Sequence, residues 1–111
     1  MNEAELQRQV TDLATLFGWS WVHFRPAQTS RGWRTPVEGP LGKGWPDLVL
    51  VRARDRRLLF VELKADKGHV TAEQAAVLAA LGELEGCRSY LWRPSDLRDP
   101  IESSPIYEVL R

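Results

Sequence analysis

Two short apolar segments on either side of a charged connection constrain the fold more than any other feature. Residues 48–51 and 58–63 are rich in valine, leucine and phenylalanine, and six mostly charged residues separate them. This pattern is typical of a β-hairpin. We take its turn to be centred between Arg54 and Asp55.

The register of this hairpin brings acidic side chains together. With the turn at that position, Val49 lies opposite Phe60 and Asp47 lies opposite Glu62. The two carboxylates then share one face of the sheet, with Cβ atoms roughly 5 Å apart. Lys64 lies two residues after Glu62. It therefore points to the same face, because successive side chains on a strand alternate between faces.

This pair of acids predicts a metal site. Like charges directly opposite each other destabilise a sheet, so folding alone does not explain Asp47 and Glu62. Divalent cations such as Mg²⁺ or Mn²⁺ prefer carboxylate oxygens as ligands. The alternative is that both acids are solvated at the strand ends, with Lys64 as their ionic partner.

The same residues resemble a known nuclease signature. Pro46-Asp47 followed by Glu62-Leu63-Lys64 matches the PD-(D/E)xK pattern, and the surrounding residues 44–48 and 61–64 are similar to the VRR-NUC group, the virus-type replication-repair nucleases. The resemblance covers nearly the whole chain. It implies a restriction-endonuclease-like α/β core of order αβββαβ, with a mixed four-stranded sheet flanked by helices.

The resemblance also implies an activity. Family members are Mg²⁺- or Mn²⁺-dependent DNA endonucleases that hydrolyse phosphodiester bonds, and Asp47, Glu62 and Lys64 would be the catalytic residues. It further implies branched or flapped DNA substrates such as Holliday junctions, a role in DNA repair, a homodimer, and the cytoplasm of a bacterium or phage-infected cell. A non-catalytic nucleic-acid-binding module on the same fold stays open as the alternative.

A third acidic ligand is expected at the start of the first helix. Asn2 can cap a helix that runs to about Phe17, and Glu3 extends its apolar stripe to the first turn. The family pattern places a glutamate on this helix, so Glu3 is the expected ligand. Glu5 is rotated about 100° from Leu6 and remains the alternative. The alternative for Glu3 is that it binds no metal and is an acid in the first helical turn, where the helix dipole stabilises it.

Backbone and amide groups are expected to complete the site. The Leu63 carbonyl is the expected further metal ligand, and Gln7 lies one helical turn after Glu3 on nearly the same side. Gln74 resembles a glutamine that the family places near the metal. It can also form a capping box with Thr71, which requires no catalysis, and both roles stay open.

The charge distribution indicates where nucleic acid would bind. The formal net charge is zero, which argues against a strongly basic binding protein. Residues 25–57, however, hold eight Arg or Lys against three acids. The expected phosphate contacts are Arg25, Arg31, Arg34, Lys43 and Lys67, with Trp33 stacking on a base. The arginines of the hairpin turn are expected to be merely solvated, namely Arg52, Arg54, Arg56 and Arg57.

The remaining elements follow from local patterns. Residues 25–43 predict a long connection without regular structure. It either faces the substrate or is a disordered surface loop with Trp33 buried against the body or a second subunit. Strands are predicted at 19–24 and 88–92. The Thr71 helix is expected to pack Ala75, Leu78 and Ala79 on the sheet, with Leu81 or Gly82 as further candidates. The hairpin strands are apolar on both faces, so helices are expected on both sides.

Composition limits the remaining possibilities. A chain of 111 residues with 43% hydrophobic content predicts one domain, residues 1–111, with a modest core. No apolar run approaches the roughly 20 residues that span a bilayer and no signal peptide is evident, so no membrane partner is expected. A single cysteine excludes an internal disulfide, and zinc-ligand spacing is missing from the sequence.

Overall fold

The computed structural model describes residues 1–24, 27–34 and 37–111. The helices are α1 (Glu3–Leu16), α2 (Ala72–Gly82) and α3 (Pro105–Leu110). The strands are β1 (Ser20–His23), β2 (Ala27–Thr29), β3 (Gly32–Arg34), β4 (Leu48–Arg52), β5 (Arg57–Leu63) and β6 (Arg88–Trp92).

Four strands form one mixed sheet in the order β1-β4-β5-β6. β1 and β5 each run antiparallel to β4, whereas β6 runs parallel to β5. α2 provides the crossover between the parallel strands, as such a connection requires. The predicted α/β class, the αβββαβ order and the mixed four-stranded sheet are confirmed.

The predicted hairpin register is confirmed. β4 and β5 pair with Val49 opposite Phe60 and Val51 opposite Leu58. A short 3₁₀ turn, Ala53–Asp55, connects the strands. The apolar side chains of both strands therefore reach both faces of the sheet, as their alternation requires.

Helices cover the sheet on both faces, as predicted. α1 and α3 lie on one face, where a hydrophobic core forms around Leu6, Leu50 and Leu110. α2 lies on the other face and packs Val77 and Leu81 against Phe60.

The predicted sheet-facing side of α2 is partly wrong. Ala75, Ala79 and Gly82 are exposed, whereas Leu78 is half-buried and Leu81 is buried, together with Val77, which the prediction did not include. Alanine tolerates burial and exposure equally well, so these residues do not decide the rotation of the helix. The observed rotation buries Val77 and Leu81 against Phe60 and brings Gln74 within hydrogen-bonding distance of Glu62.

The prediction that the hairpin-turn arginines are merely solvated is wrong for Arg54 and Arg57, which donate to the Phe17 and Val109 carbonyls at 3.0 and 2.8 Å, and most clearly for Arg52. This residue is only 5% exposed. Its guanidinium binds both carboxylate oxygens of Asp55 at 3.0 and 2.9 Å and donates to the Phe17 and Leu110 carbonyls at 3.0 Å each. It also lies over the Trp19 ring at 4.6 Å. Arg52 thus binds the carbonyl-bearing ends of α1 and α3.

The connection before β4 is more regular than predicted. β2 and β3 form a separate antiparallel hairpin in which Ala27 lies opposite Arg34. Trp33 is 63% exposed, so the alternative in which it is buried against the body is excluded. Three-residue strands without apolar alternation are too short to give a periodic signal.

Candidate active site

Asp47 lies where β1, β4 and β5 meet. Phe24 N–H donates to the Asp47 carbonyl oxygen at 2.8 Å, which extends the pairing of β1 with β4 by one residue. The Asp47 side chain turns toward β5, where Oδ2 accepts from Leu63 N–H at 2.8 Å. The β1 side therefore holds the main chain of Asp47, and β5 holds its half-buried carboxylate.

Glu62 is an acid inside the sheet, 2% exposed. Its Oε1 accepts from Gln74 Nε2 at 3.2 Å, and Oε2 is buried without a hydrogen-bonding partner among the described residues. Burial, and after it the neighbouring Asp47 charge, together raise the pKa of Glu62 to about 8. Protonated Glu62 can donate to Asp47, which also favours the neutral form. The predicted convergence of the two acids is therefore present.

Lys64 brings a positive charge to these acids. It follows Glu62 by two residues, just beyond β5, and its backbone N–H donates to the Trp92 carbonyl at 3.1 Å. Its ammonium group lowers the pKa of both Glu62 and Glu3, although burial and the Asp47 charge outweigh this effect.

Glu3 lies near this group without completing a cluster of acids. Loss of hydration raises its pKa, and Asp47 raises it further. Within residues 1–24, 27–34 and 37–111, however, no three acids, histidines or cysteines are arranged to hold one metal ion. The structure brings Asp47 and Glu62 together, and Glu3 as third ligand stays a prediction. The Gln7 side chain donates to Thr11 at 3.4 Å within α1.

Gly44 joins the segment before Asp47 to the start of α2. A Cβ atom at this position would overlap the Glu73 carbonyl group and the backbone nitrogen of Gln74. The backbone of Gly44 can therefore approach α2 only because the residue has no side chain. Lys43 and Glu73 form an ion pair at 3.2 Å beside this contact. This contact holds the segment before Asp47 against the start of α2, the helix that carries Gln74.

The sequence around these residues matches a known protein family. The profile of the VRR-NUC domain matches residues 30–94, more than half of the 111 residues, and this span includes Asp47, Glu62 and Lys64. The chain belongs to the VRR-NUC family. Membership in it implies a nuclease-type function and a nucleic-acid substrate. No curated protein and no solved structure gives a significant match.

The VRR-NUC site contains a positioning contact that the sequence did not indicate. Arg93 Nη1 donates to the carbonyls of Ala65, Asp66 and Gly68 at 2.7, 3.2 and 2.8 Å. These residues form the turn that follows Lys64. Nothing in the local sequence shows this contact, because its partners lie more than 20 residues apart.

The residues predicted to contact phosphates differ in their exposure and in their ionic partners. Arg31 and Lys67 are exposed, and Lys43 is exposed but paired with Glu73. Arg34 lies in β3, and Arg25 lies outside the described residues.

No helix among the described residues is long and apolar enough to span a bilayer.

The donor set of this VRR-NUC site fits a divalent cation. A buried carboxylate oxygen without a partner, next to a second carboxylate, is unfavourable in the metal-free protein. A hard cation would satisfy that oxygen and balance both charges. The residues present are therefore suited to such an ion, with two carboxylates as its principal ligands.

Proposed function

We propose that this VRR-NUC protein is a Mg²⁺- or Mn²⁺-dependent endonuclease that hydrolyses phosphodiester bonds in DNA. The observation that supports this most is the buried Glu62 carboxylate, which has one unpartnered oxygen and lies beside Asp47. A purely structural role does not explain an acid at that position, because burying it lowers the stability of the fold.

Asp47, Glu62 and the Leu63 carbonyl would hold the metal, with Glu3 as a further ligand from α1. When bound, the ion would lower the pKa of a water molecule and polarise a phosphoryl oxygen. Gln74 would orient Glu62 through its hydrogen bond to Oε1. Asp47 would in turn be oriented by the backbone N–H of Leu63.

Lys64 would act on the phosphate or on the nucleophilic water. Its ammonium group can donate hydrogen bonds to oxygens on which negative charge develops in the transition state. If it loses its proton, the neutral amine can accept one from the attacking water. Both roles require the side chain to lie beside the two acids, and its effect on the pKa of Glu62 supports that position.

Membership in the VRR-NUC family supports a proposal about the substrate and the assembly. We propose branched or flapped DNA, including Holliday junctions, and a role in DNA repair in the cytoplasm. A homodimer would present two active sites to the two strands of a junction. Arg31, Lys67 and the remaining basic residues of the predicted set would contact phosphates, and exposed Trp33 would stack on a base.

A cleavage assay tests this function. Purified protein is incubated with labelled four-way junction, flap, duplex and single-stranded DNA in Mg²⁺, Mn²⁺ or EDTA. We expect metal-dependent cleavage that Glu62→Gln and Lys64→Ala each reduce by at least about 100-fold, because each removes a group that acts on the phosphate or its metal.

The controls separate catalysis from folding and binding. Glu83→Gln removes an exposed acid at the end of α2 and should cleave like the wild type. Anisotropy should show that Glu62→Gln and Lys64→Ala still bind DNA. Binding without cleavage by the wild type would instead favour the non-catalytic module, and full cleavage by both variants would reject the mechanism.

A further inference from the structure

A pocket beside Asp47 has the chemistry of a nucleobase site. We propose that the pocket around Phe24, Leu41 and Trp45 binds the base of the nucleotide next to the scissile phosphate. The proposal rests on the nuclease function proposed above and adds the part of the substrate that the chain recognises. Such a nucleotide must be unpaired, because a base within a duplex is stacked and cannot enter a pocket.

The sheet register places Phe24 directly beside the proposed catalytic acid. β1 pairs with β4 up to His23 opposite Leu48. One step further, Phe24 N–H donates to the Asp47 carbonyl oxygen at 2.8 Å. Opposite residues on antiparallel strands point to the same face. Phe24 therefore points to the same face of the sheet as Asp47. Asp47 lies between Phe24, on the β1 side, and Glu62, on the β5 side.

Aromatic rings form the wall of the pocket nearest the acids. The Phe24 ring meets Trp45 edge-on with 6.3 Å between centroids, and Trp45 meets Phe60 edge-on at 5.5 Å. Trp45 precedes Asp47 by two residues, so their Cα atoms are at most about 7.6 Å apart. The pocket volume of about 460 Å³ is sufficient for a flat heterocycle. A nucleotide whose phosphate lies at Asp47 would have its base within reach of these rings.

The lining favours a neutral aromatic group over a phosphate. Val37, Pro40 and Leu41 are apolar. Among the described residues that line the pocket, Glu38 alone is charged. A negative side chain repels phosphate, whereas a base gains from stacking and from loss of contact with water. The phosphates would therefore lie toward Lys64 and the base toward the pocket.

Comparison of two single strands tests the pocket without catalysis. An oligothymidylate and an oligomer of the same length made of abasic nucleotides are titrated with the protein in EDTA, and binding is followed by anisotropy. We expect the wild type to prefer the strand with bases by roughly tenfold, the range that one stacked base supports. Phe24→Leu and Leu41→Ala should lose most of this preference.

Two further variants serve as controls. Phe24→Tyr keeps the ring and should retain the preference. Leu84→Ala truncates a leucine of similar exposure, 56% against 50% for Leu41, which lies at the end of α2 and does not line this pocket. Circular dichroism melting of each variant shows that the comparison is made between folded proteins.

A second measurement links the pocket to the cut site. Once cleavage of a substrate has been mapped, one abasic nucleotide is placed next to the cut phosphate. Wild-type cleavage should slow by roughly tenfold, and Phe24→Leu should show little additional loss because it already lacks the contact.

The outcomes distinguish the pocket from the proposed function. A base preference that Phe24→Leu leaves unchanged overturns the pocket, even where DNA is cleaved. A preference that depends on Phe24 in a protein that cleaves nothing rejects the nuclease and retains the base site. A change in oligomeric state with Leu41→Ala, and none in base preference, makes the pocket a subunit contact and overturns the proposal.

Discussion

At the scale of single residues, Glu62 opposes folding stability in the metal-free protein. Its pKa rises from 4.5 to about 8 on folding, so the folded state binds this proton more tightly than the unfolded state. Below pH 4.5 both states are protonated and no penalty exists. As pH rises from 4.5 to 8, the unfolded state loses the proton first, and the free energy of unfolding falls.

Replacement of Glu62 by glutamine should therefore stabilise the metal-free protein. In EDTA at pH 8 we expect Glu62→Gln to raise the free energy of unfolding by on the order of 2 kcal/mol, since the neutral amide avoids the cost of ionisation. The variant should also lose the decline between pH 5 and 8. Melting curves at a series of pH values measure both effects, with Glu83→Gln as the exposed control. Parallel pH profiles for wild type and Glu62→Gln would contradict the assignment.

Arg52 shows how a residue near a turn can connect distant parts of the chain. It binds Asp55 through two hydrogen bonds and also binds the carbonyls that end α1 and α3. We expect Arg52→Ala to lower the free energy of unfolding by on the order of 3 kcal/mol, because the Phe17 and Leu110 carbonyls each lose one of two side-chain donors and Asp55 loses its ionic partner. Urea titration measures the change. Arg56→Ala, an exposed arginine of the same turn, should remain within about 0.5 kcal/mol of the wild type.

At the scale of elements, the hairpin register was predictable and the rotation of α2 was not. β4 and β5 are apolar on both faces, and the position of the charged turn determines their pairing. The alanines of α2 fit either environment and do not determine its rotation; the observed rotation buries Val77 and Leu81 against Phe60 and brings Gln74 to Glu62. The partners of Arg52 and Arg93 lie far away in sequence and could not be inferred locally.

The contact between the Asp47 segment and α2 gives a prediction about two elements. Gly44→Ala places a Cβ atom into the backbone of Glu73 and Gln74, so the two elements must separate. We expect a loss of roughly 2 kcal/mol in stability and a larger loss in cleavage, because Asp47 moves away from Gln74 and Glu62. Urea titration and cleavage rates measure these losses.

The neighbouring lysine provides the control for this prediction. Lys43→Ala removes only an exposed ion pair with Glu73 and should cost less than about 1 kcal/mol. An equal loss of stability in Lys43→Ala and Gly44→Ala would show that the close backbone approach is not what positions Asp47.

At the scale of the whole molecule, zero net charge limits non-specific attraction to DNA. Binding then depends on particular basic side chains. We expect Lys67→Ala to weaken DNA binding across sequences and to reduce the slope of log K against log salt by about one. Lys43→Ala should change both less, because Glu73 already offsets its charge. Anisotropy titrations at several salt concentrations measure both variants, and a larger effect of Lys43→Ala would contradict this view of the surface.

The most direct measurement of the central claim is a titration of Mn²⁺ at pH 8, followed by melting temperature. If Asp47 and Glu62 hold one cation, Mn²⁺ should raise the melting temperature of the wild type by several degrees, as binding to the folded state requires. Asp47→Asn and Glu62→Gln should fold and show no such rise. An equal Mn²⁺ response in all three proteins, or none in the wild type, would contradict the claim that these two acids form a metal site.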